Sequence, residues 1–300
     1  MEVAEFQKKL REKILVMDGA MGTEIQSKKL SEEDFRGNLF KDYSKDLKGN
    51  NDLLNLTQPE VIKEIHKSFL NKGSDFIQTN TFNSSSISQN DYGLAERAYE
   101  LNFNGARIAK EIIKELKANA WVIGSIGPTN TTASMSPDVT DPSKRNILFD
   151  QLVNSYKECI EGLIDGGVDF LMFETIFDTL NVKAGIYAYI DKCIEIGKEV
   201  PLMISGTITD NSGRTLSGQT PEAFWTSIKH ANPFSVGFNC ALGAEQLRPH
   251  LVSLNKSSDV PTSLHPNAGL PNEMGEYDET PSHMAKVIKE MAENGLLNIV

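Results

Sequence analysis

Three side chains stand out for the chemistry they could do together. Asp18 and Glu174 each follow a short apolar run, and Cys240 ends another, inside GFNCALG at 237–243. Two carboxylates in one site can hold an ammonium group or divide acid and base roles between them. The same residues can equally cap helices or accept bonds from loop amides. A thiol at a strand end can be a nucleophile or a metal ligand. The other cysteines, Cys159 and Cys193, fall in helical patterns (SYKECIEGLI and YIDKCIEIGK), where buried structural thiols are the common case. The five histidines show no metal-ligand spacing such as H-E-x-x-H. His66, His230, His250 and His283 lie in or at the ends of helical stretches and are expected in solvent, whereas His265 ends an apolar run and could face the site. The stretch from Asp18 through Gly19, Ala20, Met21 and Gly22 to Thr23 offers successive backbone N–H groups in a tight turn, a shape suited to a carboxylate or phosphate.

These residues need elements to bring them together. Short apolar runs at 14–17, 76–79, 121–125, 170–173, 202–205, 235–238, 260–265 and 297–300 read as eight strands. Helical patterns at 59–72, 94–119, 149–166, 181–197, 221–231, 243–255 and 281–295 separate them, with start and stop signals such as Thr57 before Pro59 and Gly73 after Lys72. Strand then helix, many times over, means parallel strands joined by crossovers. We therefore expect an α/β protein, a (β/α)8 TIM barrel lacking its last helix. A doubly wound sheet would show a glycine-rich phosphate turn followed by an acid about 20 residues on, whereas Asp18-Gly19-Ala20-Met21-Gly22 leads into a long polar stretch at 27–51. A barrel gathers its site at the C-terminal ends of the strands. The residues there are polar: Asp18, Asn80, Thr81, Gly127 to Asn130, Glu174, Thr175, Thr207, Asn239, Cys240 and Pro266 to Gly269.

Composition narrows the partners. The 300 residues carry 30 Lys and Arg against 41 Asp and Glu, a formal charge of −11, which argues against nucleic acid. No run approaches the roughly 18 apolar residues of a spanning helix, and the N-terminus lacks the apolar core of a signal peptide. No membrane association and a cytoplasmic location are expected. Three widely spaced cysteines do not make a disulfide framework.

The segments MDGAMGTEIQ, LKGNNDLLNLTQPEVI, SDFIQTNTFNSSS, GSIGPTN, GGVDFLMFETIFDTLNVKA, SGTITDNSGRTLSGQT, GFNCALGAEQLRPHL and HPNAGLPNEMGEYDETP resemble, in order, the homocysteine-binding barrel of cobalamin-dependent methionine synthases. Homocysteine methyltransferases that use betaine or S-methylmethionine share the opening DG-x-x-G-T, the acid after strand four and G-x-N-C; KGNND, ETIFDT-x-N and YDETP favour the methionine synthase branch. The resemblance implies a 1–13 helical extension ahead of a barrel over 14–300, and methyl transfer to the homocysteine thiol, giving methionine. It also implies a zinc ion that deprotonates and positions the substrate sulfur. Cys240 maps onto the first of three zinc cysteines. The other two form a Gly-Gly-Cys-Cys-Gly turn that would follow Asn298-Ile299-Val300, past the last residue, so weak zinc binding and low activity are expected of the chain as it stands. Asp18 and Glu174 are implied to hold the substrate ammonium, and amides around Ala20, Met21 and Gly22 its carboxylate. We add Asn239 as a neighbour of the cysteine. The implied methyl donor is methylcobalamin, charged from 5-methyltetrahydrofolate, with folate- and cobalamin-binding domains on the same chain or a separate one. The alternatives are a betaine- or S-methylmethionine-type homocysteine methyltransferase, or an amino-acid-binding module without zinc.

Overall fold

The strands begin in apolar runs such as Trp121-Val122-Ile123 and Phe170-Leu171-Met172-Phe173. Six of the described α-helices begin at a proline or at a Ser, Thr or Asp cap. A computed structural model describes residues 3–210, 212–269, 277 and 279–300. In chain order its elements are α1 (Val3–Glu12), α2 (Met21–Ser27), α3 (Glu32–Arg36), α4 (Leu54–Thr57), α5 (Pro59–Asn71), β1 (Phe76–Gln78), α6 (Ser86–Gln89), α7 (Ala98–Leu116) and β2 (Trp121–Ile126). They continue with α8 (Phe149–Gly166), β3 (Phe170–Ile176), α9 (Thr179–Ile196), β4 (Leu202–Gly206), α10 (Pro221–Ile228), β5 (Ser235–Gly243), α11 (Ala244–Ser257), β6 (Thr262–Asn267) and α12 (Pro281–Glu293). Residues 270–276 and 278, inside the HPNAGLPNEMGEYDETP segment, lie outside the described residues, as do 1, 2 and 211. No helix among the described residues is long and apolar enough to cross a membrane.

All neighbouring strands pair in parallel, in the order β1 to β6, as the alternation requires. The expected first and eighth strands are not strand-length ladders. They form isolated bridges, Leu15 to Ile299 and Ile299 to Ser263. They nevertheless span the gap between β6 and β1. Val300 N donates to Leu15 O (2.9 Å), Asp75 N to Val16 O (2.7 Å) and Leu264 N to Ile299 O (3.2 Å). Parallel backbone thus runs round the whole ring.

Inward and outward residues alternate along each strand. The outward set, including Leu171, Phe173, Leu202, Ile204, Val236 and Phe238, packs under the helices. The inward set is apolar at one end: Leu15, Met17, Phe76, Trp121, Ile123, Phe170, Met172, Met203 and Ile299. Phe6 of α1 plugs that end, its ring 4.5 Å from Phe234, 5.0 Å from Trp121 and Phe170, and 5.3 Å from Phe76. Two residues further along the strands the inward positions turn polar, at Gln78, Ser125, Glu174, Ser205, Asn239 and His265. Gly237 permits the close approach of β5 to β6, since a Cβ there would lie 2.0 Å from Ser263 O.

The polar stretch at 27–51 carries the short helix α3 within turns and irregular chain. Ser31 and Asp34 form a reciprocal cap on α3, and Phe35, Phe40 and Leu47 join Ile25 and Leu53 in a separate apolar cluster. Helix α7 starts at Ala98 rather than 94, after a 3-10 turn at Ala95–Arg97. Helix α9 starts two residues early because Asp178 caps it, accepting from Leu180 N at 2.9 Å.

A candidate active site at the barrel mouth

The expected strand ends at 173 and 238 are overrun. β3 continues to Ile176 and β5 to Gly243, and both change register near their ends, after Phe173 and after Asn239. In these bulged ends Thr175, Cys240 and Ala241 have φ of +55°, +60° and +59°, a left-handed backbone that costs on the order of 1–3 kcal/mol for each residue with a Cβ. Such a conformation persists only where its surroundings fix it. Here Asn239 does the fixing. Its Oδ1 accepts from Thr175 N (2.9 Å) and Ser205 Oγ (2.7 Å), and its Nδ2 donates to Thr175 Oγ1 (2.7 Å) and Cys240 Sγ (3.2 Å). All four bonding positions of the amide are used. Because Thr175 Oγ1 accepts from Asn239, its own proton is free to point at Cys240 Sγ, 3.7 Å away. Burial pushes the Cys240 thiol up and the nearby Glu174 charge adds to this, while the donors from Thr175 and Asn239 pull it back.

Across the ring the two carboxyl groups share Gln78. Its backbone N donates to Asp18 Oδ2 at 2.9 Å, and its Nε2 to Glu174 Oε1 at 3.2 Å. Ser125 Oγ also donates to Glu174 Oε1. Asp18 is half-buried as a residue, yet its Oδ1 is shut off from solvent with no bonding partner among the described residues. Burial raises the Asp18 carboxyl well above its ordinary range and the Glu174 charge raises it further, against the Gln78 amide. Glu174 is raised too, by burial, against donation from Ser125 and Gln78. Neither acid has an ion-pair partner among the described residues. The pair is therefore poised for a cation brought from outside.

Asp18, Gln78, Glu174, Asn239, Cys240 and His265 line one cavity of about 710 Å³, whose remaining wall is mostly apolar and includes Val16, Met284, Ile288 and Val300. Ala20 also lies on that wall. Met21 and Gly22 occupy the first turn of α2, where Ala20 supplies no side-chain cap, so the turn's leading amides carry no side-chain acceptor there. His265 faces this cavity, as its strand position suggested. Both its ring nitrogens are buried without partners among the described residues, and burial lowers its pKa to about 4, so it is neutral at pH 7.

Other expectations fare differently. His66 is not in solvent: α5 packs it fully inside, because it lies on the same helix face as Ile62 and Ile65. Asn80 and Thr81 tie the chain together instead of facing the cavity. Asn80 Nδ2 donates to Asn51 O (2.7 Å), and Thr81 Oγ1 to Ser125 O (2.7 Å). The segment ETIFDTLN anchors the 127–148 loop: Asn181 Nδ2 donates to Thr129 Oγ1 (3.0 Å) and Thr131 O (2.9 Å), and its Oδ1 accepts from Ala133 N (2.9 Å). Gln78, Ser125 and Ser205 were not singled out from the sequence. Their signal was the period-two continuation of Phe76, Ile123 and Met203 into the polar end.

Among the described residues no group of three or more His, Cys, Asp or Glu could hold a metal ion. Cys159 is buried on α8 and Cys193 sits on α9, both outside the strand ring. One thiolate is not the three-ligand donor set of a catalytic zinc. The described residues alone therefore do not fit that ion.

The barrel, the polar inner ring and the cysteine in its G-x-N-C turn coincide with one known group of proteins. The family model for homocysteine S-methyltransferase matches residues 15–300. The chain belongs to this family. Methyl transfer to homocysteine is the activity the family supports. Among solved structures, the oxidized form of the homocysteine methyltransferase MmuM from Escherichia coli is similar with a TM-score of 0.72 and 17% identity, covering 95% of this chain and 89% of that one. The metallated form of the same enzyme gives 0.68 and 18%, covering 92% and 96%. At such identities the likeness is one of fold. In this homocysteine S-methyltransferase family member, then, the inner ring opens at the end of the barrel where such folds do their chemistry.

Proposed function

We propose that this chain binds homocysteine in the mouth cavity and presents its sulfur for methylation, giving methionine, in the manner of the methionine synthase branch. The observation that carries this reading is the pairing, in one cavity, of two buried carboxyl groups lacking cations with a fixed cysteine sulfur. The substrate's ammonium group would sit between Asp18 and Glu174 and restore both to the carboxylate form. Its carboxylate would take the leading amides of α2 at Ala20, Met21 and Gly22. That fixes one end of a short, flexible molecule and turns its sulfur toward Cys240. The reaction breaks the S–H bond and the donor's bond to methyl, and forms S–CH3; the proton leaves to solvent and the demethylated donor is released. Cys240 is the residue here that would face a metal, with Asn239 and Thr175 orienting its sulfur as hydrogen-bonding neighbours. With one thiolate among the described residues, we derive no step through zinc.

Methylcobalamin is the donor we favour, supplied by folate- and cobalamin-binding domains on this chain or another, on the strength of KGNND and ETIFDT-x-N. Asp52 and Asn181 of those segments are buried and anchor mouth loops, so the branch-specific residues shape the rim that a donor must approach. We further infer a division into the α1 extension and one barrel over 14–300. The single thiolate favours a second reading, an amino-acid-binding module without methyl transfer. Titrating the chain with homocysteine, then assaying methionine with methylcobalamin, S-methylmethionine and betaine as separate donors, separates these. Binding with turnover on methylcobalamin supports the proposal; turnover on S-methylmethionine alone moves it to another branch. Binding without turnover on any donor, in the presence of zinc, supports the module.

A further inference from the structure

Helix α9 carries apolar residues on the face where a helix on a barrel's outer shell is ordinarily polar. Of the thirteen large apolar side chains exposed among the described residues, five lie on this one helix: Leu180, Tyr187, Ile190, Ile194 and Ile196. Tyr187 is 60% exposed and Ile194 75%. Leu180, Tyr187 and Ile194 repeat at the heptad spacing, with Ile190 between the last two, so the four form one stripe along the helix. Lys183 and Asp191 lie on the same stripe. Lys183 makes no ion pair among the described residues, whereas Asp191 holds Lys157 of α8 at 2.6 Å.

We propose that α9 pairs two copies of this chain, antiparallel, about a two-fold axis at Tyr187. Such an axis sets each residue a given distance before 187 against the one the same distance after it. Leu180 then meets Ile194, Lys183 meets Asp191, and Tyr187 meets its own copy. Leu180, Tyr187 and Ile194 each find an apolar group and Lys183 its opposite charge, with no shift of register, while Ile190 falls opposite the buried Ala184 and packs at the edge of the contact. A parallel arrangement would set Lys183 against Lys183 and Asp191 against Asp191. The charge match matters in a chain of net charge −11, whose copies repel over most approaches. Leu148, 65% exposed at the start of α8, extends the face. One helix and the edge of another fall short of the roughly 800 Å² per partner of a tight interface, so the dimer is a concentration-dependent one. Since α9 runs antiparallel to the strands, this pairing points the two barrel mouths in opposite directions and leaves both open to a donor.

Sedimentation of the 300-residue chain from roughly 1 µM to 0.5 mM tests this. The mass should rise from 33.2 kDa toward twice that value and stop there. Ile194→Lys should weaken association at least tenfold, and Asp191→Lys should weaken it as well. Lys183→Asp combined with Asp191→Lys should recover most of that loss, because the facing charges are again opposite. Circular dichroism melts establish that these surface variants remain folded. A constant 33.2 kDa mass at every concentration overturns the proposal and leaves the face to a different domain or protein. So does association indifferent to Ile194→Lys, or a double exchange that restores nothing.

Discussion

Asp18 and Glu174 pay a desolvation cost that only a bound cation relieves. The sign of its pH dependence follows from the raised pKa values. As pH rises, the carboxyl groups of the unfolded chain ionise first, so the empty protein loses stability until the folded groups ionise in turn. Asp18→Asn and Glu174→Gln should therefore each leave the melting temperature at pH 8 unchanged or higher. They should also weaken homocysteine binding by roughly 10- to 100-fold, the worth of one charged hydrogen-bonded contact. Calorimetric titration beside a thermal melt checks both; a variant that loses stability and keeps its affinity would contradict the assignment. Cys240→Ser should leave amino-acid binding near the parent's while ending methionine formation, since serine keeps the donors from Asn239 and Thr175 and loses the sulfur. The sequence made Asp18, Glu174 and Cys240 legible because each terminates an apolar run. It hid Gln78, whose partner Glu174 is 96 residues away, and whose role exists only across the closed ring.

Two elements hold the site from opposite ends. The α1 helix fills the barrel floor with Phe6, fully buried among aromatic rings at 4.5 to 5.3 Å. Phe6→Ala should cost on the order of 3–5 kcal/mol, read from the denaturant midpoint, because rigid strands cannot collapse into the space. At the mouth, Asn181 pins the 127–148 loop through three hydrogen bonds. Asn181→Ala leaves Ala133 N without that acceptor and should speed proteolytic cleavage within 131–148 several-fold, with cleavage elsewhere unchanged. Element types were readable from periodicity, and most boundaries fell within a few residues. The ends of β3 and β5 were not, because Thr175 and Cys240 leave regular strand geometry under the hold of Asn239, which no local pattern encodes.

At the scale of the whole molecule, two buried groups that do not line the cavity tilt stability in opposite directions with pH. Burial holds His66 at about 4, below the ordinary 6.5. Its contribution is present above pH 6.5 and lost as pH falls toward 4, on the order of 3 kcal/mol in all. Burial raises Asp52 to about 6 despite bonds from Ser84 and Asn83. Its contribution is present at low pH and lost as pH rises from about 3.8 to 6, by a similar amount. Between pH 4 and 6 the two offset each other. His66→Leu should therefore gain stability over the parent most clearly at pH 4–5, and Asp52→Asn at pH 7–8, with the gain vanishing at pH 3.5. Urea melts at these pH values read both; a gain from His66→Leu that grows with rising pH would contradict the assignment.

The sequence by itself determined the parallel alternation, the barrel class, the family and six of the residues that line the cavity, Asp18, Ala20, Glu174, Asn239, Cys240 and His265. All of these are written in local spacing or in contiguous motifs. Tertiary structure alone decided that segments at the two ends of the chain close the ring by single bridges, that Phe6 stoppers the floor, that His66 is buried, and that Asn239 locks Thr175 and Cys240 into left-handed backbone. It also decided which strand positions form the polar inner layer. The physical reason is common to these cases. Each depends on groups distant in sequence competing for the same buried space and the same hydrogen bonds, and that competition is settled only when the ring closes.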